Sequence, residues 1–492
     1  MLAPDYLDHV PDALVALWQE VEDTILRDVA RRIGKMDALT PTANWKLWRY
    51  QQTEAVRKDV VKLLARYTGK SEAEIRRLMK EAATAALEAE DEIYYHYGKE
   101  PTPFEESAPL QNLLNAGYRQ TAGSFSNLTA TTANTVSGAF EQALDRAWLQ
   151  VSSGAFDYKT AVKRAVDGLA DSMPYVTYPS GHRDTLEVAC RRAVLTGVNQ
   201  TGAKLQEARM DEMGASFVEV TAHGGARPSH AVWQGRRYHR GGAVDYLGQH
   251  YEDFESATGY GTGTGLAGYN CRHTFFVVFP ELGSPPAWTQ ESLEALNARN
   301  IEYEGRLYTR YEISQMQRAR ERAVRKWKRR YLAEDAAGAD TTASAVKLRQ
   351  ARQSLADFIR ATGGRVDSAR TSVHGFGRSA SSKAAWAVRH NTLTNTAGQT
   401  IIKVSKSNIT GPRNGITQKT NAKGGIDRNY YGPDGRQTKQ ISNNGHGHKV
   451  EEALGKHGEH AHDYIFDAEG HLCGRPSREL TDAERKENSD IL

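Results

Sequence analysis

The chain has 492 residues, 39% of them hydrophobic and 25% charged, with a formal net charge of +4. That length suits roughly two to four domains. The apolar share supports real cores but lies below the globular average, and so mild a charge excludes a global nucleic-acid signature and leaves only local clusters to argue one.

The expected fold class is mainly α with α+β. The reading gives a helical N-terminal body over 1–180, a small central α+β domain over 181–286, and a helical segment with a basic face over 287–362. A linker over 363–394 and a separate C-terminal α+β module over 395–492 complete it. In the first segment Leu14, Trp18, Val21, Ile25 and Val29 recur at three and four, one apolar stripe of a helix. A second helix carries Val56, Val60, Leu63 and Tyr67 and is expected to end at Gly69, with Ser71 and Glu74 as the capping box of a third that runs to Tyr95. The polar run Thr129–Thr135 reads as a loop or a capped, low-propensity helix. Further helix is expected over about 139–172 and 184–213. Ser216–Thr221 alternates and Thr274–Phe279 is largely apolar, so both read as strands.

Residues 318–330 hold eight basic side chains and one acid, with Arg318, Arg322, Arg325 and Arg329 on one helical face. Gly363 to about Ser382 is linker-like in composition. Turn dipeptides such as Gly432-Pro433 and Asp434-Gly435 then punctuate short β-like runs and imply hairpins. Cys190, Cys271 and Cys473 are odd in number and far apart, which implies no disulfide framework and fits synthesis in a reducing compartment. The opening Met1–Asp5 lacks a basic region followed by an apolar run, so no signal peptide is expected. No window approaches about 18 consecutive apolar residues, so no membrane span is expected either.

Two polar clusters each abut a predicted strand: Thr221–Gly235, containing Arg227, His230, Trp233 and Gly235, and Gly265–His273, containing Asn270, Cys271, Arg272 and His273. One reading is a metal site. Cys271 and His273 would face one side of a strand, and His230 or His223 would complete a tetrahedral set of the kind zinc takes; paired CxxC spacing is absent. The other reading is structural, with glycines permitting a tight fold, Trp233 packing and Arg227 bonding backbone carbonyls. Gly261-Thr262-Gly263-Thr264-Gly265 lacks the Gly-Lys-Ser/Thr of a phosphate loop.

Pro4–Leu7, Arg27–Ile33, Thr40–Trp45, Gly225–Gly235 and Gly268–His273 occur in an order that resembles the phage minor capsid protein 2 family, which is similar in kind to Mu F-like head morphogenesis proteins. The resemblance implies a structural protein of a tailed bacteriophage, located in the virion and made in the host cytoplasm. It implies portal and capsid proteins as partners, with packaged phage DNA as a further one. For DNA contact the candidates are Arg318, Arg322, Arg325, Lys326, Arg329 and Arg330, which would pair with phosphate in a salt-dependent way; the other reading is a solvated basic face that meets an acidic portal surface. No cofactor is required on this reading; zinc is the one the central cluster would take.

The tail resembles a variable C-terminal extension found on some such proteins. It gathers His446, His448, His457, His460 and His462 within seventeen residues. A His base and a His acid beside Lys439, Lys449 or Arg428 would suit metal-free RNA cleavage, so the alternative function is a phage-delivered effector with a nuclease-like module. His-Gly-Glu-His-Ala-His would equally suit a transition metal, and a plain structural module is the third reading.

Overall fold

The computed structural model describes residues 2–36, 42–153, 155–172, 175–178, 180–445 and 447–492. Helix predominates, with small sheets and one larger C-terminal sheet. The mainly-α class with α+β parts is therefore what the chain adopts. It divides into two compact units: Met1–Ala339 with Arg352–Gly375, and Asp340–Ala351 with Phe376–Leu492.

In the first unit, helix α1 (Asp12–Gly34) buries the whole predicted stripe from Leu14 to Val29. Helix α2 runs unbroken over Thr42–His96, so the expected stop at Gly69 is not made. The reason lies at Ser71. Its hydroxyl is buried, donates back to the Tyr67 carbonyl at 2.8 Å, and accepts the Trp18 indole N–H at 3.0 Å. A hydroxyl bonded to the turn before it sits within the helix rather than capping a new one. Gly69 itself costs only about 0.5–1 kcal/mol relative to alanine in a helix interior, less than the packing on either side supplies.

The Thr129–Thr135 run also lies inside one helix, α3 (Ala108–Ser152). There Thr131 and Thr135 return their hydroxyls to the carbonyls four residues back. Helix α4 (Tyr158–Ser172) and helix α5 (Leu186–Met213) follow. Helices α3 and α5 pack closely through small residues: Gly117 faces Thr201, and Gly197 faces Thr121.

The two predicted strands form. Strand β1 (Phe217–Val220) is the centre of a three-stranded antiparallel sheet, flanked by β2 (Arg237–His239) and β3 (Phe275–Val277). The sheet and α5 share a core of Met210, Val218, Val220, Phe254, Phe275 and Val277, and Tyr94 from α2 joins it. The basic segment lies in helix α6 (Arg310–Ala336), opened by a capping box of Thr309 and Glu312.

The stretch 363–394 holds two helices, Ser368–Thr371 and Arg378–Asn391, where composition had suggested a linker. In the second unit seven strands form one sheet in chain order: β4 (Thr392–Thr394), β5 (Thr400–Lys403), β6 (Ile416–Thr420), β7 (Ile426–Tyr431), β8 (Gln437–Ser442), β9 (His460–Asp463) and β10 (Ser477–Arg478). All neighbours are antiparallel except β5 and β6. The predicted hairpin at 432–435 joins β7 to β8. No helix among the described residues is long and apolar enough to cross a membrane.

Candidate metal centre

Two segments converge beside the central sheet. The first leaves β1 and enters a short helix, Pro228–Ala231, with Pro228 in its first turn where a missing N–H is tolerated. This turns His230 and Trp233 inward. The chain then reverses at Gly235, whose φ is +67°; a Cβ there would stand 2.5 Å from Leu293 Cδ2. The second segment, Gly265–His273, leads into β3. Residues 271–274 precede β3 and belong to no strand, so Cys271 and His273 are not brought to one side by a strand as expected.

What holds them is α5. Asn199, fully buried, donates from Nδ2 to the carbonyls of both Cys271 and His273, each at 3.0 Å. Thr221 and Thr274 exchange two further bonds. Arg227 reaches the Tyr269 carbonyl at 2.8 Å, and Arg272 lies 3.4 Å from Asp8. Asn270 adopts a positive φ of 56°.

Three donor atoms meet in the buried space so made. His230 Nδ1 and His273 Nδ1 are 3.4 Å apart, and Cys271 Sγ lies 3.7 Å from the first and 3.6 Å from the second. The far side of each ring is already engaged. His230 Nε2 lies 2.9 Å from the Thr264 carbonyl, and His273 Nε2 lies 3.0 Å from Gln234 Oε1. That Gln234 atom is an acceptor, because the His223 backbone N–H also donates to it at 3.1 Å. Both Nε2 atoms must therefore carry the proton, and both Nδ1 atoms present lone pairs.

Burial holds His230 down to about 4 and His273 well below the ordinary histidine range, so both rings are neutral near pH 7. The Cys271 thiol, raised by burial, has one proton and can serve one lone pair. A cation in place of that proton would serve all three atoms. Tetrahedral zinc at about 2.0–2.1 Å from nitrogen and 2.3 Å from sulfur sets N···N near about 3.4 Å and S···N near about 3.6 Å. The residues fit that ion. The Thr264 and Gln234 acceptors would orient the two imidazoles towards such an ion. His223 stacks on His273 at 4.4 Å and does not join the donor set. Trp233 packs against both histidines, at 4.5 and 4.9 Å.

A sequence model of the phage minor capsid protein 2 family matches residues 2–360. The chain belongs to the phage minor capsid protein 2 family. No curated protein and no solved structure matches it. Family membership makes it a phage structural protein associated with the capsid. The match spans the helical body and the segments of the candidate site and stops short of the seven-stranded sheet.

In this minor capsid protein the basic helix points its cations largely inward. Arg329 meets Glu22 at 2.7 Å and Asp23 at 3.0 Å, and Arg325 pairs with Glu187. Arg330 pairs with Asp167, and Lys326 lies 3.0 Å from Asp171. Arg318 is half-buried near Arg272 and Arg370, which hold its pKa down to about 10 after burial has lowered it most. Arg322 is exposed. Of the residues offered for phosphate contact, Arg325, Lys326, Arg329 and Arg330 thus meet carboxylates of α1, α4 and α5.

Of the C-terminal histidines, His446 lies outside the described residues, and His448 and His457 are exposed. His460 and His462 are buried side by side on β9, with Nε2 atoms 3.0 Å apart. Burial holds His462 down to about 4, which favours its neutral form near pH 7. Glu459 is engaged elsewhere, accepting from the backbone of Lys456 and His457 and pairing with Arg485 at 2.8 Å. Sequence reasoning missed Asn199, Gln234 and Glu451. The first had a signal: an amide at helical spacing between Leu195 and Ala203 on the buried side of α5.

Proposed function

We propose that this chain is a non-catalytic component of the phage head, whose helical body meets portal or capsid subunits and whose central domain is closed by one zinc ion on His230, Cys271 and His273. The observation that carries the first half is family membership across residues 2–360. Supporting it, the end of the long α2–α3 pair exposes Leu47, Tyr50 and Leu149 beside the stacked Trp45, Trp48 and Trp148. Exposed apolar groups gathered in this way mark contact surfaces. The second half rests on the two opposed Nδ1 lone pairs. The basic helix braces the body in this reading, since its arginines are matched to internal carboxylates.

Cross-linking of intact heads through the exposed Lys46, Lys58 and Lys62 of α2 tests the assembly role. Links to portal or major capsid subunits are expected. Heads that contain the chain but give no such links would remove it. The effector reading draws on the grouping of Glu451, His460 and His462 in the C-terminal module. It requires that expression of the full chain arrest bacterial growth and that His460→Ala relieve the arrest.

A further inference from the structure

We propose that Glu451, His460 and His462 form a second metal site, in the C-terminal module, for a divalent transition ion of the zinc class. Strand β9 alternates its side chains, so His460 and His462 share one face, two residues apart. In register, Ser442 of β8 stands opposite His460 and Gln440 opposite His462. Ala461, between the two histidines, points the other way into the apolar cluster with Ile441 and Leu480. The two histidines are therefore fixed on the face opposite that apolar cluster.

The short helical turn Lys449–Glu452 brings Glu451 over them. Its Oε1 lies 3.2 Å from His462 Nε2, and the two imidazole Nε2 atoms are 3.0 Å apart. A tetrahedral metal at about 2.0–2.2 Å from nitrogen and oxygen ligands places neighbouring donors about 3.3–3.6 Å apart, so both edges need open only by a few tenths of an ångström to admit the ion. The ring of His460 is oriented for the purpose: its Nδ1 donates to the Gly458 carbonyl at 2.8 Å, which leaves Nε2 as a lone pair directed at the cluster.

The second, independent observation is the carboxylate. Glu451 Oε2 is buried, has no hydrogen bond, and lies 3.7 Å from His460 Nε2. A buried carboxylate oxygen facing an imidazole lone pair is an unfavourable arrangement without a cation between them. Two imidazoles and one carboxylate make a three-ligand set, which in tetrahedral metal chemistry leaves a fourth position open. The site lies outside the family match and is independent of the central one, which differs in having a thiolate.

The test is metal content of the purified full chain after dialysis from zinc buffer, compared with Glu451→Gln and Cys271→Ser. Glu451→Gln is expected to lose one equivalent of zinc per chain relative to wild type, whatever the central site holds. Equal content in wild type and Glu451→Gln overturns the proposal. If the central site alone fails, wild type holds one equivalent and Glu451→Gln none. As a second measurement, zinc is expected to raise the unfolding temperature of Cys271→Ser. The same addition to the Cys271→Ser, Glu451→Gln double variant should leave it unchanged, and an equal rise in both would also overturn the site.

Discussion

Asn199→Ala removes the clamp between α5 and the Cys271–His273 segment, and its cost follows from the geometry. Two hydrogen bonds of 3.0 Å are lost, and the carbonyls of Cys271 and His273 are left buried behind a smaller side chain. Each net hydrogen bond contributes about 0.5–1.5 kcal/mol, and each stranded buried group costs about 1–3 kcal/mol. With partial relaxation, the total expected is about 3 kcal/mol. Seven of the eight tryptophans belong to the first unit, the exception being Trp386. A Trp386→Phe background therefore makes tryptophan fluorescence a reporter of that unit alone. In urea the midpoint should fall by about 1 M or more with an unchanged slope. Asn199→Asp should fall at least as far, because a carboxylate cannot donate to two carbonyls. An Asn199→Asp midpoint equal to wild type would refute the clamp.

Three further outcomes follow from the packing and the charges. Gly69→Ala, where a Cβ meets nothing within 4 Å, should stabilise by about 0.5–1 kcal/mol; Gly197→Ala, whose Cβ would stand 2.1 Å from Thr121 Oγ1, should destabilise by about 1–3 kcal/mol. Both are read as shifts in the same fluorescence melt. Arg329→Met strands Glu22 and Asp23 and should cost about 3–5 kcal/mol at neutral pH, with part recovered on acidification, since burial already raises Asp23 to about 6. The pH dependence of the central domain has a definite sign. His230 titrates at about 4 in the folded chain and near 6.5 unfolded, so its contribution is complete above pH 6.5 and is lost as pH falls from 6.5 towards 4. Zinc retention measured from pH 7.5 to 4.5 should fall as the Cys271 thiol, which burial raises, regains its proton; retention unchanged at pH 4.5 would count against thiolate ligation.

The helical body was legible because its apolar stripes are long and regular. The merger of two predicted helices at Gly69 was not, because a buried Trp18–Ser71 bond decides it and only the fold brings those residues together. The strands at 217–220 and 275–277 and the clusters beside them were visible as alternation and as unusual composition. The roles within the clusters were hidden: Gln234 and Asn199 act by hydrogen bonds across 39 and 72–74 residues of chain. In the basic helix periodicity found the face, but the internal ion pairs of its cations were not legible. The matching acids lie on α1, α4 and α5, up to 307 residues away, where no local pattern announces them.

The central claim is tested most directly by cobalt substitution of the purified full chain, read by optical absorption. Tetrahedral cobalt on two imidazoles and the Cys271 thiolate predicts a thiolate-to-metal charge-transfer band at one cobalt per chain. The band should vanish in Cys271→Ser and persist in Cys473→Ser, whose thiol is exposed and not a member of the donor set. A cobalt-loaded chain without that band, or a band that survives Cys271→Ser, would contradict a metal centre on His230, Cys271 and His273.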